Sequence, residues 1–295
     1  MKWKWRLVWL GGLLLLWLLC SGIALAASSQ SPLATRIEQY PNWQGKPPVQ
    51  PAQGDLIYPD WFAGEWMVTT TLVDMTAPLA PEIVTPGFES NRQFLNQPIH
   101  FQVRFVEPQA SGLMRVSAQS KLQSKHWVSD RAYNGMQLAK AYLGERAVLA
   151  VKVDPANPNR QITLLKGDRQ LVSTVTERAA ETPTPHEFIT TEFFQQEFRG
   201  APQLYFNEVE NTTAYSYQPN PDQTDQPLIV ADQITAIYLS PQDPDYFKTL
   251  ASDNPFSSPR PVALYRYRME FRQPAMASRS YSAATVPTVP STQSS

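Results

Sequence analysis

Polar and apolar residues alternate with a period of two along much of this chain, the mark of half-buried β-strands. The clearest case is 99–106, where Phe101, Val103 and Phe105 share one face and His100, Gln102 and Arg104 the other. A Val- and Thr-rich strand is predicted before it at 66–73, and a weaker one after it at 113–120. Three further strands, 147–153, 160–165 and 170–176, are joined by a Pro/Asn turn at 154–159 and by Lys166-Gly167-Asp168-Arg169. Residues 188–199 interleave Phe188, Phe193, Phe194 and Phe198 with Glu192, Gln195, Gln196 and Glu197. That stretch predicts a strand, with a bulge or helical turn as the rival. Strands at 204–209, 212–218 and 228–239 follow, then a short helical turn near 246–250. The last strand, 262–271, puts Tyr265, Tyr267, Met269 and Phe271 on one face and Arg266 and Arg268 on the other. One segment breaks the period. Between Asp130, a good N-cap, and Gly144, a good stop, Met136, Ala139, Lys140 and Leu143 follow helical spacing.

About ten strands in hairpin order predict an all-β fold: an antiparallel up-and-down barrel with one short inserted helix, a two-sheet sandwich being the alternative. Closure of a barrel removes exposed strand edges. The apolar, Pro-rich stretch 78–87 reads as a long loop, because proline is excluded from central strands. The expected organisation is a leader at 1–26, a Pro/Gln/Ser-rich linker at 27–55, a β-barrel domain at 56–272 and a disordered tail at 273–295. Tyr40 and Trp43 are the linker residues suited to docking on the barrel.

Composition adds a compartment. Lys2, Lys4 and Arg6 precede an apolar run at 7–19, and Ala24-Leu25-Ala26 follows, which together read as a secretory signal peptide cleaved after Ala26. A retained anchor is the rival. Cys20 is the only cysteine, so a cleaved chain carries no disulfide, thiol nucleophile or Cys-based metal site. The chain has 25 basic and 26 acidic residues, and loss of the three leader cations leaves 22 against 26, a net charge of −4. That balance, with no basic cluster, excludes an electrostatic grip on nucleic acid.

The chain's pivotal stretch is 58–72, with Phe62-x-Gly64-x-Trp66 at its centre. It resembles the first-strand signature of lipocalins and other calycins. That resemblance implies a calycin-like barrel whose closed end is plugged by Trp66, with Arg266 or Arg268 from the final strand laid over it. Longer phrases resemble an uncharacterised family of exported proteins from cyanobacteria and plastids, the DUF6816 family. They are residues 60–66, 78–81, 103–106, 130–135, 154–160 and 207–210. This resemblance implies a photosynthetic organism and a thylakoid-lumen or periplasmic location. It implies no activity.

Candidate chemistry is sparse. His100, His126 and His186 are isolated from one another, and no spacing suits a transition metal, so no metal or catalytic residue is assigned. Asp154, Asn157 and Asn159 offer oxygen ligands, but capping of their own turn is the expected use. Glu208 and Glu210 share one strand face and would supply a carboxylate pair to a hydrolase. Gln102, Arg104, Glu192 and Gln196 alternate beside strong aromatic faces. They are expected on the outer surface if the aromatics face inward. If loop and linker cover the aromatics instead, the four line the barrel, and a buried Arg104 takes Glu192 as its partner. The candidate ligand-binding residues are Trp66, Phe101, Phe105, Arg104, Glu192, Gln196, Tyr265, Tyr267 and Arg268. The expected function is non-enzymatic binding of a small apolar molecule (lipid, pigment or isoprenoid), with no cofactor identified. The alternatives are an assembly factor docking a photosynthetic membrane complex through 78–87, and a barrel-mouth hydrolase or isomerase.

Overall fold

The computed structural model describes residues 31–108, 126–200, 205–219, 226–250 and 257–274. The strand expected at 113–120, the leader and the tail lie outside them.

The described residues form one antiparallel sheet that curls into a half-barrel. Its strands are β1 (Gln50–Pro51), β2 (Gly64–Thr76), β3 (Pro98–Val106), β4 (Val128–Ser129), β5 (Val148–Asp154) and β6 (Asn157–Leu165). They continue with β7 (Arg169–Glu181), β8 (Glu187–Arg199), β9 (Tyr205–Tyr217), β10 (Ile229–Leu239) and β11 (Ala263–Arg272). The spatial order is β4-β3-β2-β11-β10-β9-β8-β7-β6-β5, with β1 paired to β7. This is the expected all-β, up-and-down architecture. The two helices are α1 (Pro32–Glu38) and α2 (Arg131–Leu143). Helix α2 lies against β3 on one side and against β5 and β6 on the other, so it bridges the two ends of the sheet.

Two predicted strands are one. The breaks expected between 209 and 212 do not occur, because β9 runs unbroken through Glu210 and Asn211. Glu210 is fully buried there, and its charge is met by Arg36 from α1, at 2.6 Å from Arg36 Nε and 2.7 Å from Nη2. The Tyr238 and Thr212 hydroxyls each donate to the same carboxylate at 2.7 Å. A buried carboxylate with four donors is a stable strand residue, whereas an unpaired one is not.

The segment before the sheet is equally ordered. Ser31 caps α1, and Trp43, stacked on the Arg36 guanidinium at 3.8 Å, packs with Phe193, Ile234, Tyr238 and Leu264. Residues 31–51 therefore strap the outer face of β7–β11, with Tyr40 and Trp43 docked as the sequence suggests. Lys46 pairs with Glu208 on the same face.

The inner face has aromatic packing at one end. Gly64 enters β2 with φ +92°, a left-handed angle that glycine takes without strain. The chain then sets Phe62 in the centre of a ring cluster, 4.7 Å from Phe105 and 5.0 Å from Tyr215. Trp66 is buried beside it and donates from Nε1 to the Phe62 carbonyl at 2.8 Å.

Candidate functional site

Following β2 and β11 along their inner faces locates an unfilled region. Trp66, Val68 and Phe271 belong to the first aromatic cluster, and Leu72, Met75 and Tyr265 to a second cluster with Phe88. Between them, Thr70, Met269 and Tyr267 line a cavity of about 540 Å³. That volume is in the range of small-molecule pockets.

The cavity has two unlike walls. Strands β6 to β10 contribute Gln161, Ser173, Glu192, Gln196, Asn211, Gln233 and Thr235, with Phe194, Val209 and Ile237 among them. Opposite stand Tyr58, Phe101, Val103, Tyr267 and Met269, roofed by Leu138 and Tyr142 of α2. Burial holds the Tyr58, Tyr142 and Tyr267 hydroxyls above the ordinary tyrosine range, and pushes Tyr215 up to about 12. These phenols are neutral across physiological pH.

The roof is fixed at its N-terminal end by side chains acting on the β3 edge. Asp130 Oδ1 accepts from Tyr133 N at 3.0 Å as the N-cap, and Oδ2 accepts from Arg104 Nε at 2.8 Å. The Asn134 carboxamide accepts from Arg104 N at 2.8 Å and donates to Arg104 O at 3.0 Å. One Asn thus satisfies a strand edge that another strand would otherwise pair. At the opposite side, a Cβ on Gly135 would fall 2.7 Å from Gln161 Nε2, so the glycine admits the Gln161 amide against the helix. The helix covers the cavity without filling it. None of its residues is fully buried, Ala141 and Tyr142 being half-buried, and Leu138, which lines the cavity, is 42% exposed.

The charges at the cavity are paired. Glu192 Oε1 accepts from Arg131 Nη2 at 3.0 Å and forms an ion pair with Arg178 Nη2 at 3.0 Å, and Asp55 lies 3.8 Å from Arg131 Nε. Arg178 also donates to Asn159 Oδ1 at 2.7 Å and to the Gly54 carbonyl at 2.9 Å. Burial lowers the Arg178 pKa from its ordinary value, with Glu192 acting against that shift. Two cations and two carboxylates cancel.

The sequence-predicted residues divide into three groups. Phe101, Glu192, Gln196 and Tyr267 line the cavity. Trp66 and Phe105 pack in the aromatic cluster at one end, and Tyr265 packs at the other, where its hydroxyl accepts from Asn91 at 3.1 Å. Arg104 and Arg268 lie outside. Arg104 sits over the Tyr133 ring and pairs with Asp130, not with Glu192, and Arg268 pairs with Glu270. Arg266 is held by Asp232 over Tyr40, also away from Trp66. Gln102 and Arg104 follow the outer-surface expectation, but Glu192 and Gln196 do not, because the strap covers the Phe193 face of β8.

Gln161, Asn211, Gln233, Arg131 and Leu138 were not singled out by the sequence pattern. Period two gives two faces, and the strap buries both faces of β8–β10, so burial alone does not label the inner one. The turn residues Asp154 and Asn157 accept from Ala156 N and Asn159 N, capping their own turn. Glu208 and Glu210 share a face as expected, but it is the strapped outer face. In the 78–87 loop, Leu79 and Ile83 pack on Leu239 and Val262, leaving Val84 exposed. Among the described residues no three His, Cys, Asp or Glu side chains converge, and no helix is long and apolar enough to cross a membrane.

The fold and its cavity define a curled, all-antiparallel half-barrel with a helical roof over a mixed-polarity pocket. A family described as a domain of unknown function, DUF6816, matches residues 50–275, and the chain belongs to that family. No curated protein and no solved structure matches it significantly.

Proposed function

We propose that this protein is a non-enzymatic carrier or sensor that binds one small amphipathic molecule between α2 and the inner face of β6–β11. The observation that carries the reading is the roof. A helix docked to complete a packed core buries its apolar stripe, whereas α2 buries none of its residues fully, and Leu138, which lines the cavity, stays 42% exposed. An apolar group held in that space would remove Leu138, Tyr142 and Met269 from water, which supplies the driving force for binding. The polar wall opposite would orient the ligand. Enzymatic chemistry has less support, since Glu192, the one carboxylate lining the cavity among the described residues, is committed to two guanidinium groups. Export to a periplasm or thylakoid lumen belongs to the same proposal and is supported by the leader sequence.

The test is native mass spectrometry of the purified protein after incubation with a photosynthetic lipid extract, beside the cavity-filling variant Ser173→Trp. Adducts on the wild type that are missing from the folded variant are expected. Adducts on neither protein, or equally on both, would contradict a ligand in this cavity.

A further inference from the structure

We infer that the ligand's polar end is uncharged and presents hydroxyl or carbonyl oxygens, so that the protein selects neutral amphiphiles over fatty acids and amines of the same chain length. This inference rests on the binding proposal above and narrows its ligand class.

Two features of the polar wall carry it. The first is a hydrogen-bond relay with one direction. Thr213 Oγ1 donates to Gln233 Oε1 at 3.3 Å, and Gln233 Nε2 donates to Thr235 Oγ1 at 3.3 Å. Thr235 Oγ1 in turn donates to Asn211 Oδ1 at 2.7 Å. The relay occupies the Asn211 oxygen and leaves its amide hydrogens unspent at the cavity wall. Successive bonds polarise one another, so the terminal amide is a stronger donor than an isolated one. It is a neutral donor and suits a neutral oxygen.

The second feature is the charge state of the cavity. Arg131 and Arg178 converge on the same oxygen of Glu192, and Asp55 balances the second cation. A carboxylate entering the cavity needs a cation, and drawing Arg131 away strips Glu192 of half its compensation in a partly buried site. An ammonium group approaching Glu192 meets two guanidinium groups already seated there. Either charged end therefore loses its hydration without gaining an open partner at the cavity wall, since Arg178, whose buried Nε has no hydrogen-bond partner among the described residues, does not line the cavity. The tyrosine hydroxyls around the cavity, held neutral by burial, do not supply a countercharge.

The test is a titration of the full folded protein with three probes sharing one alkyl chain: dodecanoylglycerol, dodecanoic acid and dodecylamine, each below its critical micelle concentration. Dissociation constants are read by native mass spectrometry or tyrosine and tryptophan fluorescence. Dodecanoylglycerol is expected to bind about tenfold or more tightly than either charged probe, consistent with the cost of an unpaired charge. Asn211→Leu is expected to weaken dodecanoylglycerol about fivefold and leave dodecanoic acid unchanged, as the loss of one hydrogen bond predicts. Dodecanoic acid or dodecylamine binding as tightly as dodecanoylglycerol overturns the neutral-head inference and leaves the binding proposal standing. Saturable binding of none of the three overturns both.

Discussion

Neighbouring residues on β8–β10 face two opposite environments. On the outer face Glu210, Thr212 and Tyr238 are closed over by the strap, and each polar group finds a partner: Arg36 for Glu210, Thr191 for Thr212, Glu210 for Tyr238. On the inner face Asn211, Gln233 and Gln196 stand at the wall of a cavity that the roof leaves unfilled. Both faces are polar patches inside a β protein. One consumes its hydrogen-bonding capacity and becomes stability; the other keeps part of that capacity for something outside the chain. Glu210 and Asn211 are adjacent in sequence, so side-chain alternation alone separates the two roles.

The sharpest way to break the comparison is to remove the outer-face carboxylate. Glu210→Ala leaves Arg36 buried without its carboxylate, and the expected loss is about 3–5 kcal/mol in urea denaturation. Arg36→Met combined with Glu210→Leu is expected to cost less than the two single losses added together, because no charge is then left alone. If Glu210→Ala costs no more than a surface substitution, the strap is not held in the way described.

The next largest effect tests both faces at once through pH. Tyr215 titrates near 12 in the folded protein against an ordinary 10, with burial as the main cause. A group that holds its proton more tightly when folded contributes its full stability below the unfolded pKa. That stability is lost as pH climbs through the folded pKa. Stability should therefore hold up to about pH 10 and fall by roughly 2–3 kcal/mol as pH passes through 12, from Tyr215 alone. Tyr58 on the inner face and Tyr238 on the outer are raised further by burial, and they extend the decline. Tyrosinate absorbance should rise together with unfolding. Most tyrosines ionising near pH 10 in an intact fold would contradict the burial described.

Removing the roof's anchor should have a moderate effect. Asp130→Ala deletes the N-cap of α2 and the partner of Arg104, with an expected cost of about 1–2 kcal/mol. Hydrogen exchange should accelerate across 131–143 before any strand is affected, and ligand binding should weaken with it. The smallest expected change in stability is the inner-face counterpart of the first. Asn211→Leu, which also removes the acceptor of Thr235, should cost about 0.5–1 kcal/mol while impairing recognition of a neutral amphiphile.

Much of this architecture was legible in the sequence. Strand β3 runs from Pro98 to Val106 against an expected 99–106, and α2 begins after Asp130 and stops before Gly144 as its capping residues indicated. What was not legible depends on contacts distant in sequence. The polar pair Glu210-Asn211 looked like a break in β9 because its partner, Arg36, lies 174 residues away. Glu192 and Gln196 stood between the outer surface and the barrel lining, and the strap that buries Phe193 decides for the lining. Half of the site was visible as aromatic stripes, through Phe101 and Tyr267. The other half, Gln161, Asn211 and Gln233, consists of residues that an exposed strand face would also carry, and only the curl of the sheet brings them together.

The most direct test of the central claim is a crystal structure of the protein grown with dodecanoylglycerol. The expected result is the alkyl chain against Leu138 and Phe101 beneath α2, with the glycerol head within hydrogen-bond distance of Asn211. The contrary result is a lipid bound elsewhere, or α2 collapsed onto the sheet with Leu138 buried and the cavity closed.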